Sequence, residues 1–421
     1  MASNSLRLAL FILVSLPHVE SEILTAFAVC RHGERNARFT FPGDPYAESD
    51  WVGGYGALTK LGSDHQFFLG YRLHSLFTNG THLPVDKVYY RSSEADRCMQ
   101  SARSNSHGFM GQPDVVEIHT VPHKTDRLLN PDAPCQLYYD VWAQIEHSKL
   151  YEDLKEKYAP LFAELIRHGI STGLQDTWML FDSLNAMKAT GKEWPIWCTP
   201  EVFKILDEMN AKLENLRSGF GLPDDLESFG QNFSVLIPRI RGGKLLWEII
   251  DRMKNAVKCD QGDQDRCGFK FHAYSAHDAT LMALLSTLKS PFSVLNGGVP
   301  DYNDCITFEL TKDQGQYNVM AQYSHFEPQN ISSIILYHMG PLNSCRTCHL
   351  DAFADSHEAF KPPEDFEEWC SRGLKQYTNP EVDENSKEGN SEKSPNESTT
   401  STWYLIGVVM PVLLVFLVHE N

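Results

Sequence analysis

The stretch Ile23-Leu-Thr-Ala-Phe-Ala-Val-Cys30, followed by Arg31-His-Gly-Glu-Arg35, sets a histidine between two arginines directly after a bounded apolar run. The run has the length and composition of a buried strand, and Gly33 allows a sharp turn just after His32. The imidazole then stands at a strand's carboxyl end, the edge at which open α/β sheets bind their ligands. Two guanidiniums flanking an imidazole make an anion pocket with a nucleophile inside it, and phosphate is the fitting anion.

Working outward, the same arrangement recurs. Gly56-Ala-Leu-Thr-Lys-Leu-Gly62 leads into an amphipathic helix over residues 63–77, with Phe67, Leu69, Leu73 and Leu76 near helical spacing. Residues 85–90 read as a second strand, with Arg91 at its end and a helix from Glu94 to Met110 behind it. Residues 270–275 read as a third, ending in Ala276-His277-Asp278 before a helix over 279–288. Gly242-Gly243 opens another helix through Met253, and residues 305–310 and 317–323 alternate as a hairpin across Asp313-Gln-Gly315. Between these, about residues 111–238 show helical patterns at 139–168 and 199–217 and no strand alternation, as a mainly helical cap insertion would. The expected fold is α/β, a mostly parallel central sheet with flanking helices plus that cap. Its three strand ends gather Arg31, His32, Arg35, Arg91, His277 and Asp278 on one edge.

The ends and the charge bound what such a site serves. A net charge of -18 and no long Lys/Arg cluster exclude a nucleic-acid binder. Residues 1–21, with Arg7 before the apolar run Leu8 to Leu16, read as a secretory signal peptide, so the ten cysteines are expected in disulfides. Cys345 and Cys348 are expected as a local bridge, because no second pair completes a zinc site, and Cys259 with Cys267 would close a short loop. Cys30 and Cys98 read as buried free thiols. Asn79, Asn232, Asn330 and Asn396 are N-glycosylation sequons that suit the same compartment. Residues 377–402 form a polar, Ser/Thr-rich stretch that reads as a disordered stalk. Residues 403–418 are apolar over about 16 positions, short of the roughly 20 of a straight bilayer span, so a single transmembrane segment and a GPI signal are both open, the former favoured. Either tethers a domain at 22–376 facing outward or into a lumen, at the cell surface or in a lysosome-like compartment.

With these residues in view, the chain resembles the histidine acid phosphatases, the branch with prostatic and lysosomal acid phosphatase, within the phosphoglycerate-mutase-like superfamily. The resemblance rests on R-H-G-E-R at Arg31, G-A-L-T-K-L-G at Gly56, Y-R-S-S-E-A-D-R at Tyr90, R-G-G at Arg241 and S-A-H-D at Ser275, in the family's order over most of residues 22–370. It implies an acid phosphatase acting on small-molecule phosphate monoesters through a phosphohistidine at His32, with Asp278 as proton donor and Arg31, Arg35, Arg91 and His277 holding the phosphoryl oxygens. Neither metal nor cofactor is implied. Cys135 and Cys370 pair by the same resemblance, Cys305 lacks a clear partner because Cys198 stands off the family position, and a homodimer is left open. Arg97 is expected as a structural ion-pair partner and Glu34 as exposed. Asn36-Ala37, where the family has a proline after the motif, is expected to loosen the loop. Two rival readings are a phosphoglycerate-mutase-like transferase, against which the His277-Asp278 pair and secretion argue, and a catalytically silent surface glycoprotein, an adhesin or receptor, keeping the fold.

Overall fold

From Thr25 onward every residue of strand β1 (Glu22–Arg31) is buried, as an uninterrupted apolar run requires when layers cover both faces of a sheet. The computed structural model describes residues 21–374, apart from 224–225, 229, 290–293, 296, 327–333 and 340–347. Its strands are, in chain order, β1, β2 (Val88–Ser92), β3 (Ile118–His119), β4 (Glu227–Ser228), β5 (Gln231–Asn232), β6 (Phe271–Ala276), β7 (Cys305–Asp313), β8 (Gln316–Phe326), β9 (Ile334–Met339) and β10 (Cys348–His349). β4 and β5 pair only with each other. In the main sheet β1, β6, β2 and β3 lie parallel side by side, β7 runs antiparallel beyond β1, and β8 returns to the common direction with β9 and β10 against it. The sheet is therefore mixed but mostly parallel, and β7–β8 is the expected hairpin.

Side-chain alternation along β1 divides the domain into two layers. Phe27 and Val29 meet α8 (Gly243–Asp260) and α9 (Asp278–Thr287), while Ala26, Ala28 and Cys30 meet α1 (Lys60–Thr78) and α2 (Asp96–Met110). A large apolar side chain contributes about 1.5–3 kcal/mol by leaving water, so both faces fix the register of this strand. The remaining helices are α3 (Gln136–Glu146), α4 (Lys149–Arg167), α5 (Thr177–Ala189), α6 (Pro200–Arg217), α7 (Phe233–Arg241), α10 (Leu350–Ser356) and α11 (Phe366–Ser371). The helical pattern over 139–168 is carried by two helices, α3 and α4, because Ser148 between them accepts from the Tyr151 amide and starts α4 afresh. Helices α3 to α7 share a separate apolar core containing Leu137, Leu165, Leu184, Phe203 and Phe233, which α11 joins through Phe366 and Trp369.

Disulfides tie these layers. Cys135–Cys370 links the cap to α11, and Cys259–Cys267 closes the short loop after α8. Cys30 is not the free thiol expected of it. It is bonded to Cys305, its register partner across the antiparallel β1–β7 ladder, so Cys198 is left free and buried, as is Cys98. Cys348 is disulfide-bonded as well, and its expected partner Cys345 lies outside the described residues. Of the sequons, Asn79 is exposed at the end of α1, whereas Asn232 uses its side-chain oxygen to cap α7. Asn330 and Asn396 lie outside the described residues, as do the leader up to residue 20, the polar stalk and the apolar tail. No helix among the described residues is long and apolar enough to cross a membrane.

One core residue bears on the acid stability of the sheet. His272 on β6 stacks on Phe27 at 4.6 Å, and burial, with Arg252 adding to it, pushes its pKa down to about 3. Between that value and an ordinary histidine's, the unfolded chain holds a proton that the folded chain does not, so stability falls as pH falls through this window. His272→Phe should remove a slope of up to about 1.4 kcal/mol per pH unit, seen as a smaller loss of Tm between pH 7 and pH 4. An unchanged pH dependence would show that His272 carries no such cost.

Candidate active site

Strands β1, β6 and β2 end level with one another, since Arg31 is paired with Ala276 and Ser92 with Ser275. One further backbone bond follows each ladder, from His32 N to Ala276 O and from Ser93 N to Ser275 O, both 3.0 Å. His32, Ser93 and His277 thereby open on one edge. The loop after His32 is pinned by a contact that only glycines permit. A Cβ on Gly33 would stand 2.4 Å from the Gly62 carbonyl oxygen, and one on Gly62 would stand 2.3 Å from that of Glu34. Gly33 does not have the positive φ of a left-handed turn; its missing side chain serves this close approach of the loop to the first turn of α1.

The His32 ring is buried, and its two nitrogens face different partners. Nδ1 donates to Gly33 O at 2.9 Å, while Nε2 accepts from Arg97 Nε at 3.0 Å. Burial first, then the guanidiniums of Arg97 and Arg35, push its pKa well below the ordinary histidine value, so the ring is neutral. Arg97 also donates to His277 Nδ1 at 3.3 Å, and His277 Nε2 bonds Ser93 Oγ at 2.9 Å. Burial and Arg97 hold His277 neutral too.

Two carboxylates occupy the other guanidiniums. Arg31 donates to Pro300 O at 2.7 Å, lies 4.2 Å from the centre of the Tyr302 ring and is paired with Asp278 at 2.8 Å. Arg35 forms a two-point pair with Asp182 of α5. Asp278 opens α9 and accepts from the Ala279 amide at 2.8 Å, and its side chain remains 41% exposed. Burial pushes its carboxyl up, but Arg31 and then His277 outweigh that and hold it below the usual carboxylate range. These groups line a cavity of about 660 Å³ whose outer wall comes from the cap, including Trp142, Trp178, Phe181 and Lys188.

Five of the six expected site residues, Arg31, His32, Arg35, His277 and Asp278, are brought together here. Arg91 is not. It is a strand residue of β2 paired with the buried Asp126, and it does not line the cavity. Arg97, expected as a structural partner, stands in its place on the first turn of α2. The signal was available in the motif itself: an arginine three residues past Glu94 leaves the strand behind and enters the helix that faces the site. Glu34 is buried rather than exposed, held by His65 and Asn303. Asn36 does not loosen the loop, because its amide donates to the carbonyls of Val52 and Gly54, each at 2.8 Å. Asp182 and Tyr302 went unforeseen, since each comes from a segment with no motif of its own, and so did Arg38, which lines the cavity from just past the R-H-G-E-R motif. His32, Cys98 and His277 hold possible metal-ligand atoms within 4.8 Å of one another, yet Arg97 already donates to both rings and its charge opposes a cation.

Residues 21–324 match the model of the histidine phosphatase superfamily, branch 2. The chain belongs to that superfamily. It is accordingly an enzyme of the phosphatase class. Among curated relatives, the lysosomal acid phosphatase of Pongo abelii is 30% identical over 330 residues, covering 73% of this chain and 72% of that protein. The prostatic acid phosphatase of Rattus norvegicus is 29% identical over 375 residues, covering 83% and 91%. The Hafnia alvei phytase solved with tartrate superposes with a TM-score of 0.62 at 14% identity, covering 82% of this chain and 100% of that one, a likeness of fold.

The glycine contact under the histidine phosphatase motif is open to a direct test. Gly62→Ala drives a methyl into backbone and should cost about 1–3 kcal/mol in urea unfolding, whereas Gly173→Ala, whose methyl meets nothing within 4 Å, should change stability little. Equal effects at the two positions would refute the contact as a constraint.

Proposed function

We propose that this chain is an acid phosphatase that hydrolyses phosphate monoesters through a phosphohistidine at His32. The observation that carries the reading is the state of that ring: neutral, with Nδ1 engaged by Gly33 O and the Nε2 lone pair turned to the arginine-lined cavity. Neutral imidazole is the nucleophilic form, and burial together with neighbouring cations keeps it so in acid.

In the proposed reaction the phosphoryl group takes the N–H donors of Arg31, Arg35 and Arg97, with His277 at its side. Arg97 replaces Arg91 in this role. Charge in phosphoryl transfer spreads over the equatorial oxygens, so fixed guanidiniums supply most of the stabilisation. As the Arg97 Nε–H turns from Nε2 to a phosphoryl oxygen, the freed His32 Nε2 lone pair attacks phosphorus while the ester oxygen departs with a proton from Asp278. Water then attacks the phosphohistidine, gives its proton to the Asp278 carboxylate, and the P–N bond breaks to release phosphate. Asp278 is paired with Arg31 and held ionised. A bound phosphate dianion competes for Arg31 and adds negative charge, which raises the Asp278 pKa and arms it as the acid. Activity in mildly acidic medium follows from that need for a protonated carboxyl.

The leader-like amino terminus, the sequons and the disulfides support delivery through the secretory pathway, and the apolar tail after a polar stalk supports tethering with this domain outside or in a lumen. The names of the lysosomal and prostatic relatives agree with an acid phosphatase of that pathway.

Hydrolysis of p-nitrophenyl phosphate at about pH 5 should be strong in wild type and lost in His32→Ala, and Arg97→Ala should lower kcat/KM far more than Arg91→Ala. Asp278→Asn should lower kcat on an alkyl phosphate by about 10²–10⁴ and on p-nitrophenyl phosphate by less, since nitrophenolate leaves without a proton, with inhibition by inorganic phosphate retained or strengthened. A correctly folded wild type without hydrolysis would favour the silent glycoprotein instead.

A further inference from the structure

Behind the cavity floor lies a buried polar chain that the reaction itself does not use. Glu34 Oε1 accepts from His65 Nδ1 at 2.7 Å and Oε2 from Asn303 Nδ2 at 3.0 Å. Asn303 Oδ1 accepts from Gln66 Nε2 at 2.9 Å, and the same Gln66 amide donates to the carbonyl of Arg31 at 3.0 Å. The Asn303 backbone N–H reaches the carbonyl of His32 at 3.3 Å. Gln66 Oε1 faces Asn105 Nδ2 at 3.4 Å, and Asn105 Oδ1 accepts from Tyr90 OH at 2.9 Å. All six residues are buried.

We infer that Glu34, His65, Asn303 and Gln66 are positioning residues for the nucleophile, an inference that rests on His32 being that nucleophile. The two carbonyls they hold are those of Arg31 and His32, so the tetrad fixes the peptide plane on each side of the His32 Cα. The next carbonyl along, Gly33 O, is the only anchor of His32 Nδ1 among the described residues, and it sits between the held His32 carbonyl and the held Glu34 side chain, which together set the direction of Nε2. Arg31 is held separately, by the Pro300 carbonyl and the Tyr302 ring, so the Asn303 side chain bears on the nucleophile and not on the phosphate cradle.

The cost of the arrangement argues for such a role. A buried carboxylate with its partners rarely stabilises a fold more than apolar side chains of the same volume, so a fully bonded Glu34 does little for stability that a hydrocarbon would not. What it supplies is direction: two acceptor oxygens at fixed angles to two different segments, α1 and the 300–304 turn. Asn303 itself sits at φ 66°, a left-handed backbone that asparagine and glycine tolerate best. Asn303→Gly therefore removes the amide while keeping the turn, and Glu34→Gln removes one acceptor while keeping the volume.

Both variants, and their double, are to be compared with wild type in steady-state turnover, in the rate of phosphoenzyme formation in a single turnover, and in inhibition by inorganic phosphate, with Tm as the check on folding. Each single variant is expected to lower kcat and phosphoenzyme formation by about tenfold or more, because small misplacements of a reacting atom are costly, while phosphate inhibition stays within about threefold. The double should fall no further than the worse single, as members of one network do. Folded variants with kcat within about twofold of wild type, kcat and phosphate affinity falling in parallel, or fully additive losses would each overturn the inference. An inactive wild type, or an active His32→Ala, would instead overturn the phosphohistidine reading on which it stands.

Discussion

The parallel pairing of β1 with β6 is the constraint from which the site follows. With Arg31 level with Ala276, the residues just past the two strand ends, His32 and His277, are forced to the same height, and their rings meet edge to face at 5.5 Å. β2 on the far side of β6 ends at the same level and sends α2 back over the edge, carrying Arg97 to both rings. Slipping this ladder by one residue would turn Phe27 and Val29 into the opposite layer and move every one of these groups. Core packing thus decides where the chemistry stands.

The same edge crowds positive charge. Arg31, Arg35, Arg38 and Arg97 all line one cavity, and Asp278 and Asp182 answer two of them. Asp182 comes from the cap, so part of the electrostatic balance of the cradle is supplied by a helix distant in sequence. Under the proposed function a phosphate competes with those carboxylates for Arg31 and Arg35, which makes binding in part an exchange of anions.

Much of this was legible from residue patterns. An apolar run ending in R-H-G-E-R, and another ending in S-A-H-D, are local features, and local features place strands and the groups at their ends. Arg91 and Arg97 show where locality stops. Both lie in one motif, and choosing between them depends on where β2 gives way to α2 and on Asp126, which claims Arg91 from a different segment. Cys30 looked like an apolar core residue because its partner stands 275 positions away. Glu34 follows a turn-like Gly33 and so looked solvated, whereas the Gly33–Gly62 contact draws the loop against α1 and buries it. Asn36 looked like a loosening residue because the carbonyls it bonds, of Val52 and Gly54, lie well along the chain.

Protonation ties these features together under the proposed mechanism. An enzyme working in acid with a histidine nucleophile faces opposite demands, since the medium that protonates its acid also protonates its base. Here both groups are held unprotonated: burial and Arg97 keep His32 neutral, and Arg31 keeps Asp278 ionised. Only the second hold is one the substrate can release. Phosphate draws on the N–H groups that stabilise the Asp278 carboxylate, while its negative charge offsets the guanidiniums that depress His32 without restoring the water that burial has removed. Substrate binding therefore shifts the acid more readily than the base, and a protonated Asp278 beside a neutral His32 is reached only when there is a leaving group to receive the proton.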